Sequence, residues 1–102
     1  AIRQRMAMNQ ARLDAVRAAM YHAAWVGDAG GDNVKEMSGV KAFGAETVMQ
    51  IMYDCVQFHG GMGYMRETPV ERMYRDARIL SIGGGATEVM LEEVAKRSIV
   101  AA

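Results

Sequence analysis

Four groups of residues in this 102-residue chain are of types that do chemistry. Gly60-Gly61-Met62-Gly63 is rich enough in glycine to bring main-chain N–H groups close to a phosphate. A Rossmann fingerprint is excluded. That motif needs G-x-G-x-x-G between a strand and a helix, and here a helix precedes and Arg66 takes the third glycine's place. The plainer reading is a helix C-terminus closed by a left-handed glycine and a turn. Cys55 and His59 stand four residues apart, as two ligands on one helix face would. Two ligands do not make a zinc site, and Cys55 also continues an apolar stripe, so we expect a buried thiol and no metal. Arg72, Arg75, Asp76 and Arg78 form a charged cluster. It is either a solvated face with local ion pairs, or Arg75 or Asp76 anchors the loop that follows. Gly83-Gly84-Gly85 is either a flexible turn or a place where something bulky passes close to the backbone, and Thr87 beside it is positioned to cap a helix or donate to an anion. No Ser-His-Asp set and no nucleophile elbow is present.

The elements that must carry these residues are helical. Ten methionines and a single proline favour long helices with irregular packing surfaces, and no stretch alternates cleanly enough for a strand. Ile2, Met6, Asn9, Leu13, Val16, Met20 and Ala23 recur at three- and four-residue steps and predict a helix over residues 1 to about 26. It starts in mid-pattern with no cap, as a segment following missing upstream chain would. A glycine-rich loop over 27–32 precedes Asn33 and Glu36, which read as an N-cap and its N3 partner. The second helix runs to about Phe58 with an inner stripe of Met37, Val40, Gly44, Val48, Ile51, Cys55 and Phe58. Gly44 inside that stripe predicts close approach by a neighbouring backbone. Residues 59–67 read as a loop. Thr68 as cap, Pro69 at the first position and Glu71 open a short third helix ending near Ser81. A fourth spans about 87–99 with Val89, Met90, Val94 and Ile99 inward. The expectation is an all-α bundle.

Twelve basic residues balance twelve acidic ones, so neither nucleic acid nor an anionic membrane is an expected partner. No apolar run approaches the roughly 20 residues of a membrane span. One cysteine forms no internal disulfide, which suits a reducing compartment.

Gln57-Phe58-His59-Gly60-Gly61-Met62-Gly63-Tyr64, followed by Thr68-Pro69-Val70-Glu71-Arg72-Met73-Tyr74-Arg75-Asp76-Ala77-Arg78, closely resembles the C-terminal signature of the acyl-CoA dehydrogenase family. The resemblance extends from Ala1-Ile2 through Ala23-Ala24-Trp25 to Ala95-Lys96-Arg97. It implies that residues 1–102 are part of a C-terminal four-helix bundle whose first helix is missing here. The parent would be a homodimer or homotetramer with FAD, oxidising acyl-CoA thioesters to trans-2-enoyl-CoA and passing electrons to an acceptor, typically an electron-transferring flavoprotein. The implied compartment is a bacterial cytoplasm, favoured, or a mitochondrial matrix. Gln57, Phe58, His59, Gly60 and Gly61 match a stretch that approaches the adenosine diphosphate part of a neighbouring subunit's FAD. Ala86, Thr87 and Glu88 match a second FAD-touching stretch, and Gly84 and Gly85 match the acyl-CoA site.

Three departures from the family pattern matter. Gly84 stands where many members carry the catalytic glutamate, and glycine abstracts no proton. As in the isovaleryl and long-chain types, the base is then expected upstream, on the bundle's first helix, and no catalytic residue is expected within this segment. Gly83 replaces a common aromatic. Ala86 replaces a common hydroxyl residue, with one cofactor hydrogen bond at stake. A small residue at Gly84 is also expected to widen the pocket for branched or longer acyl chains. Glu88 matches a cofactor-facing position and makes a poor substitute base. The chain alone is expected neither to bind FAD tightly nor to oxidise acyl-CoA, and to associate through its uncovered apolar seam. Two other readings are a non-catalytic helical interaction module, which leaves the two joined motifs unexplained, and a segment of an acyl-CoA oxidase-like flavoenzyme.

Overall fold

The computed structural model describes residues 1–99; the side chain of Ile99 and residues 100–102 lie outside that description. The order is α1 (Ile2–Asp28), α2 (Val34–Phe58), a 3-10 turn (Gly60–Tyr64), α3 (Pro69–Arg78), a second 3-10 turn (Ile79–Ser81) and α4 (Thr87–Ile99). Among the described residues there is no strand, as expected of an all-α chain. No helix of the described residues is long and apolar enough to cross a membrane. The loop expected over 59–67 is largely the first 3-10 turn.

Helix α1 runs two residues past the expected end because its terminus is a Schellman motif. Gly30 takes a left-handed φ of 85°, Gly31 N–H donates to the Val26 carbonyl at 2.9 Å, and Gly30 N–H donates to Gly27 at 3.0 Å. Two expected caps are absent. Asn33 makes no side-chain cap bond; its amide donates instead to the Ala23 carbonyl at 2.9 Å, tying the start of α2 back to α1. Asp32 replaces it, accepting Val34 N–H at 3.0 Å in a turn of the Asx type. Thr68 likewise makes no side-chain cap bond, although Pro69 does open α3. Its expected partner Glu71 is engaged by Arg75, at 2.6 and 3.3 Å.

Helix α2 is the hub on which α1, α3 and α4 all pack. Helix α1 runs antiparallel to it: Asn9 meets Asp54, and Val16 stands opposite Gly44. Helix α3 and the second 3-10 turn then carry the chain about 20 Å back along α2. The deep face of α2 is not the expected stripe. Ser38, Ala42, Ala45, Thr47 and Asp54 are buried, whereas Met37 is exposed and Val40, Val48, Ile51, Cys55 and Phe58 are only partly covered. Small side chains let three helices approach one. Gly44 is not pressed by backbone; a Cβ there would sit 3.5 Å from the Val16 side chain, an ordinary contact. In α4, Met90 and Val94 are half-buried as expected, while Val89 is exposed.

Among the described residues the buried apolar ones are Ala23, Ala42, Ala45, Val70 and Ala77, a thin core. On α1 only Asn9 and Ala23 of the expected stripe are buried; Ile2, Met6 and Met20 stay more than half exposed. The accessible surface is 7238 Å², against about 5,700 Å² for a compact monomer of this mass. The radius of gyration is 15.9 Å, against roughly 13 Å for a compact domain. The surplus, about 1,500 Å², is what a standard protein interface buries in total.

Candidate functional site

Two places along α2 present the residues singled out by sequence. At its C-terminal end the helix stops at Phe58, His59 Nδ1 lies 2.7 Å from the Cys55 carbonyl oxygen, and Gly60 turns left-handed at φ 63°. His59 therefore engages the main chain of Cys55 rather than sharing a ligand with its half-buried thiol. Gln57, His59, Gly60 and Gly61 are exposed and Phe58 is half-buried. Among the described residues, no atom beyond the chain neighbours comes within 4 Å of where a Cβ would stand on Gly60 or Gly61, so the backbone is open to close approach. Gly63 is the opposite case. It is buried, and a Cβ there would collide with the Val56 carbonyl oxygen. Within one motif, two glycines leave room for something else and the third folds the turn onto α2.

The second group lies beside the middle of α2. Gly84 and Gly85 take left-handed φ values of 70° and 114°. Gly84 is exposed with open space about it, and Gly85 lies against the Met90 side chain. Ala86 occupies the cap position of α4, its carbonyl accepting Met90 N–H at 3.0 Å. Thr87 is thus the first helical residue and not the cap; its hydroxyl donates to the Ser81 carbonyl at 3.4 Å. Glu88 is exposed in the first turn of α4.

What holds this loop is a residue the sequence reading did not select. Lys41 Nζ donates to the carbonyls of Leu80 at 2.5 Å, Gly83 at 3.0 Å and Gly85 at 3.0 Å. The one available signal was a solitary charge in the otherwise uncharged run from Met37 to Ala45. Neither Arg75 nor Asp76 makes a contact of this kind. Arg75 pairs with Glu71, and Arg78 donates to the Ser81 hydroxyl at 2.7 Å. The hydrogen bond from Arg75 holds the Glu71 carboxyl below its ordinary pKa, against a smaller opposing effect of desolvation, and the charges of Arg75, Arg66 and Arg72 add to the lowering. The cluster on α3 is otherwise largely a solvated face.

Lys41 and Gln57 are sixteen residues apart on α2, about 24 Å along its axis. The chain therefore does not bring the 57–61 and 84–88 groups into one site. They are two separate surfaces on one rigid helix.

A family model, "Acyl-CoA dehydrogenase, C-terminal domain", matches residues 1–99. A cyclohexane-1-carbonyl-CoA dehydrogenase of Geobacter metallireducens is 39% identical over 95 residues, 93% of this chain and 25% of that protein. A 3-(aryl)acrylate reductase of Clostridium sporogenes is 40% identical over 89 residues, 87% of this chain and 24% of that protein. The crystal structure of a probable acyl CoA dehydrogenase from Mycobacterium abscessus superposes with a TM-score of 0.91 at 40% identity, covering 94% of this chain and 26% of that one. The chain thus spans about a quarter of the length of the relatives it matches. With an all-helical fold and a family match that extends from residue 1 to 99, this chain belongs to the acyl-CoA dehydrogenase family, as its C-terminal domain.

Proposed function

We propose that this segment serves an FAD-dependent oxidoreductase acting on acyl-CoA thioesters, working as a homo-oligomer. Residues 57–61 would receive the adenosine diphosphate part of a neighbouring subunit's FAD. Gly84 and Gly85 would form part of the acyl-pocket wall, and Ala86, Thr87 and Glu88 would lie against FAD from their own side. FAD supplies the acceptor for the hydride that leaves the acyl β-carbon. The separation of the two surfaces along α2 supports their serving different flavins. The surplus exposed area supports burial against further polypeptide and a second subunit.

The observation that carries this reading is the open backbone at Gly60 and Gly61. Main-chain N–H groups at a helix end, with no side chain in the way, can approach a pyrophosphate closely. Residues 57–61 contribute binding and orientation. The acyl loop contributes shape. At Gly84 the loop contributes no proton transfer, because glycine has no ionisable group. The proton-removing carboxylate then belongs to polypeptide outside these residues. The acceptor would be an electron-transferring flavoprotein; one relative, of Acetobacterium woodii, is the CarC subunit of a "Caffeyl-CoA reductase-Etf complex". The similar proteins include both a reductase and a dehydrogenase.

Gly61→Val in the full-length protein tests the reading. Gly61 does not have a positive φ, and among the described residues nothing beyond its chain neighbours lies within 4 Å of where its Cβ would go, so the first carbon of a side chain meets open space. We expect folded protein with clearly reduced flavin content. Full flavin occupancy in that variant, or a wild-type protein without flavin absorbance and without acyl-CoA-dependent bleaching, would refute the proposal.

A further inference from the structure

We propose that Lys41 is the positioning residue of the acyl-facing loop: its ammonium gathers three main-chain carbonyls and so sets the path of Gly83, Gly84 and Gly85. The orientation towards substrate rests on the function proposed above; the hold on the loop does not.

The loop emerges from a 3-10 turn whose last carbonyls have no helical partner. Ile79 O is taken by the N–H groups of Ile82 at 3.0 Å and Gly83 at 2.7 Å. Ser81 O accepts the Thr87 hydroxyl. The carbonyls of Leu80, Gly83 and Gly85 converge on one point, and Lys41 Nζ occupies it. An ammonium has three N–H donors, and all three are used. Charge-assisted bonds of this kind are stronger than neutral ones. The left-handed glycines matter here, because at Gly84 and Gly85 the chain adopts a path that most residues resist. Glycine permits that path but also permits many others. Lys41 supplies the restraint that the triplet lacks. It does so from the middle of α2, so the loop is referenced to the hub helix and not to α3 or α4. A guanidinium would not substitute, since its donors lie in a plane and diverge.

The test uses the full-length flavoprotein with Lys41→Met, close in shape without donors, and Lys41→Gln, which keeps two donors without charge. Hydrogen exchange of residues 80–85 should rise at least about tenfold in Lys41→Met and less in Lys41→Gln, with α1 unchanged. Flavin content should hold, and KM for acyl-CoA should rise several-fold, more than kcat falls. A general loss of stability would raise exchange everywhere and would not single out KM. Unchanged loop exchange in whichever variant folds overturns the proposal. Faster loop exchange with unaltered KM upholds the hold on the loop and overturns its acyl-facing role, and with it the assignment of Gly84 and Gly85 to the substrate pocket.

Discussion

Asn9 Nδ2 donates to Asp54 Oδ2 at 2.9 Å across the α1–α2 contact, and Asp54 is only 1% exposed. Around that bond, Gln50 donates to the same carboxylate at 3.3 Å, Arg5 stands 3.7 Å away, and Arg12 donates to the Asn9 side-chain oxygen at 2.8 Å. The contact between the two long helices is thus centred on a polar network where its neighbours lead one to expect apolar packing. Asn9→Leu leaves a buried carboxylate short of a donor and should destabilise the protein by about 2–3 kcal/mol. Asn9→Leu with Asp54→Leu removes both partners and should cost less than Asn9→Leu alone. Urea denaturation measures both; a double variant weaker than the single one would mean the network adds net stability beyond its desolvation.

Gly44 and Gly63 should respond oppositely to alanine. Gly44 has room for a methyl group beside Val16, so Gly44→Ala should stabilise by roughly 0.5–1 kcal/mol through helix propensity. Gly63→Ala drives a methyl group into the Val56 carbonyl and should cost about 2 kcal/mol or more. Melting temperatures that move in the same direction would contradict the packing described for the two sites.

Placing a carboxylate at Gly84 carries a conformational cost. Gly84 has φ 70°, and Gly84→Glu should lower stability by about 1–2 kcal/mol even though the surrounding space is open. Thermal unfolding indistinguishable from wild type would show that the loop relaxes out of its left-handed path.

The Glu71–Arg75 pair sets a pH dependence on α3. Its folded-state carboxyl is lowered by the Arg75 hydrogen bond. The pair's contribution is therefore complete above the unfolded glutamate pKa and is lost as pH falls through the lower folded value. Carboxyl NMR titration should show Glu71 moving upward in Arg75→Met. No movement would assign the lowering to Arg66 and Arg72 instead. Both side chains reach solvent, so the effect on overall stability is small.

The 102-residue chain on its own should associate. Met6, Met20, Tyr21 and Trp25 lie more than half exposed on α1, and Phe43 on α2. Light scattering should give at least a dimer at tens of micromolar; a persistent monomer would show that the exposed surface is tolerated in water.

Much of the architecture was legible in the order of residues. Apolar periodicity, the glycine runs and Pro69 determine where helices begin and end, because those signals act within one turn of the chain. The two signature motifs determined the family for the same reason: they are contiguous. What the sequence by itself did not determine is which polar groups find each other across helices. Asn33 looked like a cap and instead bridges to Ala23; Thr68 looked like a cap and lost its partner to Arg75. Lys41 and the carbonyls it gathers lie about 40 residues apart, and Asn9 and Asp54 lie 45 apart. Local spacing carries no information on such pairs. Only the packing of α1, α3 and α4 on one helix of small side chains decided them, since a buried donor must bond to whichever acceptor that packing brings within reach.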